Sequence, residues 1–325
     1  MTTTISAWSA ISPFGLGGTD FAAGVQGGRR PAECGVPGFD IREVLGRKGT
    51  RAMDRVTALA VATAKPLVDG LGSETALVLG TNVGSVKSSM DFARDTLTED
   101  KPFYVDAGRF PNAVLNCAAA QCAIWHTLQG PNATISGGRA TGLLALNYAR
   151  RLHRSGRATG AVLCGATEEL SAERSWLENA SSPLGEGCAM FRLERDGPGL
   201  AEVLAVEFGV CADMTQAAAV LRRCVDRAFA SSGTGAEQVW LVVGSGGEGD
   251  ELDGLAAKRL CVTDLVGDTF AASSAFGIAA VLALAEAEGR DGTALVTAVD
   301  RDGVVGCALL RLTGEGRSLM GEGTR

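Results

Sequence analysis

The chain has 325 residues, of which 46% are hydrophobic and 21% charged, so it can form a large core and global disorder is excluded. No stretch approaches eighteen apolar residues without a charge or a glycine cluster, and no basic segment precedes an apolar one at the N-terminus, so we expect neither a membrane span nor a secretory signal. Without a span or a signal, a cytoplasmic protein is the expectation. The net charge of −7 is spread over segments of mixed sign, which disfavours nucleic acid as a partner.

Apolar and β-branched runs alternate along the chain with segments of helical period, a pattern typical of an α/β fold in which helices cover a sheet. The predicted strands are 4–11, 75–79, 132–135, 161–164, 189–193, 202–208, 239–243, 293–299 and 307–312. The predicted helices are 53–64, 90–97, 141–152, 215–230, 252–260 and 274–287.

The order of elements before about residue 195 resembles the order after it, which is a weak sign of internal duplication. The polar stretch 194–200 is the one plausible seam, and it is too short to act as a free linker. Residues 313–325 are rich in Gly, Glu and Arg without periodicity, so we expect them to fray.

Nine cysteines stand singly along the chain without a Cys-x-x-Cys pair, which predicts buried free thiols in a reducing compartment. The two histidines, His126 and His153, lack a second ligand residue at metal-binding spacing. We therefore expect no metal site and no cofactor, and we expect both imidazoles at the surface.

Three segments could carry chemistry, and the first is residues 130–152, where a strand-like run meets Gly137 and Gly138 and then an apolar helix. Such a strand-to-helix elbow presents one side chain at a helix N-terminus, where the dipole stabilises a thiolate or an oxyanion. That side chain is Arg139, and a cation there costs roughly 0.3–1 kcal/mol unless an anion lies close by. Arg139 therefore either points to solvent or meets such an anion.

The second segment, residues 239–260, contains Gly244, Gly246 and Gly249 in the spacing of a dinucleotide-binding loop. Glu248 would place a carboxylate against the pyrophosphate, and a lone match of this pattern is weak. A tight loop at a strand end is therefore favoured over nucleotide binding.

The third segment, residues 261–287, is a small-residue loop that leads into a helix. Asp268 lies in this loop beside Gly267 and Thr269. Taken alone, an aspartate in such a setting is usually a turn residue.

In this order the three segments resemble the active-site loops of the β-ketoacyl synthases, which belong to the thiolase superfamily. Four other segments are similar to the family's opening strand and helix, its segment before the elbow, its GEGA strand and its final glycine loop. They read ISAWSAISPFGLGGTDFAAGVQGG (5–28), FPNAVLNCAAAQCAIWHTLQGP (110–131), GEGCAMFRLE (185–194) and DRDGVVGCALLRL (300–312). The resemblance extends through nearly the whole chain.

The resemblance implies a thiolase-like, five-layered αβαβα fold made of two similar halves, which we divide into an N-terminal half, 1–195, and a C-terminal half, 196–325. It also implies a dimer formed through the strand at 132–135. Family members use an elbow cysteine that holds the acyl chain as a thioester and two histidines that promote decarboxylation of malonyl carrier protein.

The residue types at the corresponding positions do not suit this chemistry. Aligned on the motifs, Arg139 stands at the nucleophile, Ser245 at the first histidine and Asp268 at the second. The family lysine falls on Thr263, and a family acid falls on Ala256. Because no loop rearrangement yields a site of one cysteine and two histidines, we expect no catalytic residue in this chain.

Relatives of this kind are the chain length factors, the β-subunits of type II polyketide ketosynthases, which keep the fold and pair with a catalytic subunit. The resemblance therefore implies a heterodimer with a catalytic ketosynthase, and contact with an acyl carrier protein through that complex. These β-subunits commonly carry Gln at the elbow, so Arg139 departs from their pattern too. Side chains of this subunit would close the end of the partner's acyl tunnel, and the candidates are Val86, Met90, Phe92, Phe110 and Asn116.

Two further expectations follow from the aligned positions. Arg139 and Asp268 should face each other as a buried ion pair. The chain is also shorter than typical family members between GATEEL (165–170) and SPLGEG (182–187), a region that in those relatives forms part of the wall near the active-site entrance. An acyltransferase or decarboxylase that uses Arg139 and Asp268, or a structural homodimer, remain as alternatives.

Overall fold

The structure, a computed structural model, describes residues 2–178, 183–246, 255 and 257–313. The strands are β1 (Thr3–Ile11), β2 (Ala76–Gly80), β3 (Asn132–Ile135), β4 (Val162–Glu168), β5 (Gly187–Arg195), β6 (Ala201–Val210), β7 (Val239–Gly244), β8 (Lys258–Cys261), β9 (Gly292–Val299) and β10 (Val304–Leu312). The helices are α1 (Gly18–Gly27), α2 (Ile41–Leu45), α3 (Arg55–Ala64), α4 (Val86–Thr98), α5 (Cys117–Trp125), α6 (Thr141–Arg154), α7 (Ala172–Glu178), α8 (Ala217–Ser232), α9 (Thr263–Val266) and α10 (Ser273–Glu288).

The strands form one sheet in the order β3-β2-β4-β5-β1-β6-β10-β9-β7-β8. Counted outward from the middle, one half runs β1, β5, β4, β2, β3 and the other runs β6, β10, β9, β7, β8, with the same parallel and antiparallel pairings. Thr4 and Ile5 of β1 pair with β6 and join the halves. The expectation of two similar halves is confirmed. We retain the division between residues 195 and 196, in the connection from β5 to β6, as a proposal.

Helices fill the spaces on both sides of each half-sheet. α6 and α10 lie between the two halves, where their apolar residues share one core with strands of both. α3 and α5 cover the outer face of the first half, and α8 covers the outer face of the second, each around a core of its own. The resulting order of helix, sheet, helix, sheet and helix is the five-layered αβαβα arrangement.

The central helix α10 is buried around its whole circumference from Ser273 to Ala285, and this stretch is apolar apart from its first two serines. Phe270–Glu288 is the one helical stretch of the described chain that is long and apolar enough to cross a membrane, and 89% of its apolar window is buried inside the protein. A helix enclosed in this way belongs to the core of the fold.

One predicted element is wrong. The pattern predicted a helix over 252–260, but residues 258–260 lie in β8, which pairs in parallel with β7. β8 is an edge strand that exposes Lys258 and Arg259, so its polar character resembles that of an exposed helix. The other predicted elements are present, with ends displaced by up to four residues. Residues 252–254 and Ala256 of this segment lie outside the described residues, as do the loop positions Glu248 and Gly249 and the tail from residue 314.

The cysteines lie as expected, but one of the two histidines does not. All nine cysteines are free and eight are buried, as predicted. His153 is fully buried, and its Nε2 lies 3.0 Å from the carbonyl oxygen of Gly160, so a surface position is wrong for this residue. His153 continues the apolar stripe of Leu146 and Ala149 on α6, which the surrounding arginines obscured. His126 is half-buried, with Nε2 2.9 Å from the carbonyl oxygen of Val61.

Candidate functional site

The elbow connects β3 to α6 through a short 3-10 turn, Gly138–Ala140. Gly138 has a φ of +57°, in the left-handed region that favours glycine. A Cβ atom at Gly138 would lie 2.0 Å from Oδ1 of Asp300, so the side chain of Asp300 also leaves no room for a larger residue. The elbow therefore has the tight geometry that its sequence predicted.

Arg139 and Asp268 form an ion pair at the elbow. Nη2 of Arg139 donates to Oδ2 of Asp268 over 2.5 Å. The side chains are only 18% and 6% exposed, so the alternative of an arginine that points to solvent is wrong. The predicted contact is confirmed, and the anion offsets the unfavourable position of the guanidinium at the helix N-terminus.

Phe270 extends this pair into a longer ladder of contacts. The guanidinium carbon of Arg139 lies 5.6 Å from the ring centroid of Phe270, and that of Arg301 lies 4.7 Å from the same centroid. Arg301 in turn pairs with the carboxylate of Glu178 in α7. Phe270 is 2% exposed and has a φ of +48°, an uncommon conformation for a bulky residue. Two guanidinium–carboxylate pairs thus flank one buried aromatic ring.

Ser245, the third aligned position, lies beside the elbow but its side chain faces elsewhere. It follows β7, is fully buried, and its backbone N–H donates to the carbonyl oxygen of Thr297. A Cβ atom built on Gly277 would lie 3.1 Å from Oγ of Ser245, so the hydroxyl faces the central helix α10. The next residue, Gly246, lies against Nε of Arg139.

A small polar cavity of about 120 Å³ remains at the elbow. Its walls carry two cations and two carboxylates beside small residues. They are Arg30, Arg139, Pro183, Gly246, Thr263, Asp264 and Asp268. The balance of charge in these walls favours neither an anionic nor a cationic ligand.

The shortened region between 165–170 and 182–187 contains α7, which sequence reasoning missed. Arg174 of α7 is 1% exposed, and its guanidinium donates to the carbonyl oxygens of Glu169, Gly185 and Asp268 over 2.6, 2.7 and 3.1 Å. These bonds hold the backbone of the Asp268 loop in place. Only an arginine within a short helical pattern could have signalled this role.

A larger cavity of about 1000 Å³, with both polar and apolar walls, lies between α4, α7 and the 3-10 turn Ala107–Ala113. Ser85, Lys87, Asn112 and Glu169 are among the residues that line it. Burial raises the pKa of Glu169 to about 7 and raises that of the adjacent Glu168 to about 7 as well. Two carboxyl groups at or behind the cavity wall can therefore hold protons near neutral pH.

The five tunnel candidates fall in the same part of the fold but do not line the described walls of this cavity. Val86 is buried, Met90 and Phe92 are half-buried, and Asn116 is exposed at the start of α5. Phe110 is 55% exposed, and its ring centroid lies 5.7 Å from that of Phe92. The structure brings these two rings together, and the tunnel role of all five residues stays a prediction.

Beside the elbow, the surface carries a feature that we call the open face. It consists of the edge strand β3, which within the described chain pairs only with β2, and of eight exposed apolar side chains from residues 83–124. These side chains are Val83, Leu97, Phe103, Tyr104, Phe110, Val114, Leu115 and Ile124. Large exposed apolar residues and an edge strand with one free side are typical of a surface that a partner covers.

The described residues contain no group of three or more His, Cys, Asp or Glu side chains that could hold a metal ion.

A family profile for the N-terminal domain of β-ketoacyl synthases matches residues 37–207, slightly more than half of the chain. The chain belongs to the β-ketoacyl synthase family. In this family member the elbow holds Arg139 rather than a cysteine.

The relatives support the same assignment. A 3-oxoacyl-[acyl-carrier-protein] synthase 2 of Vibrio harveyi is 30% identical over 157 residues, 46% of this chain and 35% of that protein, so the match spans about a third of this curated relative. Among solved structures, the ishigamide ketosynthase/chain length factor is 43% identical with a TM-score of 0.85, covering 96% of this chain and 99% of that one. A type II PKS acyl-carrier protein in complex with its ketosynthase gives a TM-score of 0.81 at 15% identity, with coverage of 96% and 99%. The thiolase-like fold is thereby confirmed for this β-ketoacyl synthase homologue.

Proposed function

We propose that this protein is a non-catalytic ketosynthase-like subunit of the chain length factor type, which pairs with a catalytic β-ketoacyl-acyl carrier protein synthase in cytoplasmic type II polyketide biosynthesis. The ion pair of Arg139 with Asp268 carries the proposal, because it fills the positions at which the family resemblance puts the nucleophile and one histidine. A guanidinium bound to a carboxylate provides no nucleophile for an acyl group. The neutralised guanidinium is also poorly available to bind the carboxylate of a malonyl group.

Neither imidazole and none of the thiols of Cys117, Cys122 and Cys164 is suited to replace the missing groups. Cys117, Cys122 and Cys164 are buried, and burial raises the pKa of each thiol above its ordinary value, so they are poor nucleophiles near neutral pH. Burial lowers the pKa of His126 and His153, and each ring is hydrogen-bonded to a backbone carbonyl. Both histidines lie outside the lining of the elbow cavity.

We assign the catalytic ketosynthase to the open face. β3 carries the edge through which the family resemblance implies dimerisation, and the exposed apolar side chains of residues 83–124 extend the surface around it. A partner of the same fold would present a corresponding edge strand and apolar residues, so both surfaces would be buried at once. An acyl carrier protein would then meet this subunit within the assembled complex.

The tunnel would approach the open face from the partner's elbow. We place its closed end near the ring pair of Phe92 and Phe110, because these rings lie at the boundary between the protein interior and the open face. Val86, Met90 and Asn116 belong to the same segments and complete the candidate set. Bulky side chains there would limit chain length, since each overpacking intrusion costs about 1–3 kcal/mol.

Co-expression with a cysteine-containing ketosynthase from the same gene cluster tests the proposal. Native mass measurement should give one copy of each chain, and the complex should extend an acyl carrier protein substrate while this subunit alone does not. If the isolated chain becomes acylated and extends the acyl group, the enzymatic alternative is correct. If it forms only a homodimer in the presence of the ketosynthase, the structural alternative is correct.

A further inference from the structure

Asp300, in the turn between β9 and β10, meets the elbow from the other half of the chain. Its Oδ1 accepts a hydrogen bond from the backbone N–H of Arg139 over 2.9 Å. Its Oδ2 accepts one from the backbone N–H of Asp302 over 3.0 Å. Two amides that are more than 160 residues apart in sequence therefore converge on one carboxylate.

The side chain is not needed merely to close its own turn. The backbone N–H of Asp300 donates to the carbonyl oxygen of Val304 over 2.8 Å, and the N–H of Gly303 donates to the carbonyl oxygen of Asp300 over 3.0 Å. These main-chain bonds close the turn, and the bond from the N–H of Asp302 to Oδ2 of Asp300 adds to them. The contact with Arg139 is an additional interaction that connects the turn to the elbow.

The charge of Asp300 is balanced by amide groups rather than by a side-chain cation. The residue is 1% exposed, and no ion pair involves it within the described chain. The two nearby guanidinium groups, of Arg139 and Arg301, bind Asp268 and Glu178 instead. The backbone N–H of Arg139 lies just before α6, at the end of the helix where the dipole favours an anion.

We propose that the Asp300 carboxylate is an internal ligand that fills the anion-binding position of the elbow and excludes an external carboxylate or acyl oxygen from it. The elbow N–H of Arg139 points at the carboxylate, so it is unavailable to an oxygen atom from outside. Gly138 fits the same role, because a Cβ atom there would collide with the carboxylate. Asp300 thus occupies the backbone N–H of the elbow, and Asp268 occupies the side chain of Arg139.

Chemical rescue of Asp300→Ala tests this assignment, with formate as the probe because it matches the deleted carboxylate. We expect Asp300→Ala to melt at a lower temperature than the unmodified protein, and formate to restore roughly half of the loss or more as it binds the vacated amides. Sodium chloride at equal ionic strength should restore less. The unmodified protein should respond equally to both salts, because the Asp300 carboxylate already occupies both amides.

Asp302→Ala is the matched control, since it removes a carboxylate from the same turn at an exposed position. This variant should show no preference for formate. Equal responses of Asp300→Ala to formate and chloride would overturn the proposal. If Asp300→Ala does not fold, Asp300→Asn decides: its NH2 group would face an amide N–H, so it should melt lower, and an unchanged melting temperature would overturn the assignment.

Discussion

The elbow and the open face lie next to each other, but the charged groups of the elbow are paired within the chain, whereas the apolar groups of the open face are exposed. At the elbow, Arg139 pairs with Asp268, and Arg301 pairs with Glu178. The carboxylate of Asp300 accepts a hydrogen bond from the backbone N–H of Arg139, so all these partners belong to one chain. On the open face, the outer edge of β3 has no neighbouring strand in the described chain, and the eight apolar side chains stay exposed. The position that serves chemistry in the family is occupied by groups of the same chain, and the surface that we assign to the partner is left exposed.

The closed elbow should depend most strongly on its ion pair. We expect Arg139→Ala to lower the free energy of unfolding by about 3–5 kcal/mol, because it leaves the buried carboxylate of Asp268 without its cation. Urea unfolding measures this loss. Arg47→Ala, at an exposed arginine, should stay within about 0.5 kcal/mol of the unmodified protein. A loss below about 1 kcal/mol in Arg139→Ala would show that the pair is not a structural replacement for the lost chemistry.

Arg139→Cys should suffer a similar loss and should also show no condensing activity, because no histidine accompanies the restored thiol. An acyl transfer assay with the isolated variant checks this outcome. Measurable synthase activity would contradict the view that the elbow has been closed by several residues rather than by one.

Unlike the carboxylates at the elbow, the buried carboxyls of Glu168 and Glu169 have no arginine in a direct ion pair within the described chain. They predict that the free energy of unfolding depends on pH. Burial raises the pKa of Glu168 from an ordinary 4.5 to about 7, so the folded state holds a proton that the unfolded state releases. This contribution to stability is complete below pH 4.5 and is lost as the pH rises to about 7. Its full size is about 3 kcal/mol for one carboxyl. Glu168→Gln should therefore lose less stability between pH 5 and pH 8, as urea unfolding would measure.

Glu33→Gln, at an exposed carboxyl, is the control for this experiment and should keep the pH profile of the unmodified protein. If Glu168→Gln also retains that profile, Glu168 is ionised in the folded state. The interior would then contain a buried charge that the neighbouring Arg174 must balance.

The open face should respond to charge at its exposed apolar positions. Ile124→Asp places a carboxylate on a side chain that is 72% exposed in the isolated chain and buried in the proposed heterodimer. We expect binding of the ketosynthase to weaken by about 30-fold, equivalent to about 2 kcal/mol, while the stability of this subunit is unchanged. Val210→Asp, at a side chain that is 77% exposed on β6, should leave binding intact. Equal effects of the two variants would move the partner away from the open face.

Sequence patterns predicted the elbow, its ion pair and nearly all strands because these depend on local periodicity and on motifs in a known order. They missed α7 and the role of Arg174, because three carbonyl groups distant in sequence define that site. They also took the polar edge strand β8 for a helix, since strand pairing leaves no periodic signal in four residues. The sequence did not predict the role of Asp300 either, because the N–H group that it binds belongs to the backbone of Arg139, in the other half of the chain.

The smallest predicted effect concerns the ladder that connects α7 to the elbow. Glu178 holds Arg301 against Phe270, whose ring also contacts Arg139, so the two ends should influence each other through the shared ring. A double-mutant cycle of Glu178→Ala and Arg139→Ala should give a coupling free energy of about 0.5–1 kcal/mol in urea unfolding. The control is a second cycle that combines Arg311→Ala with Arg139→Ala. Arg311 pairs with Glu202 on β6, away from the elbow, so the two effects should be additive. Additivity in both cycles would mean that the elbow is closed by its own pair alone and that α7 acts on it only through the backbone bonds of Arg174.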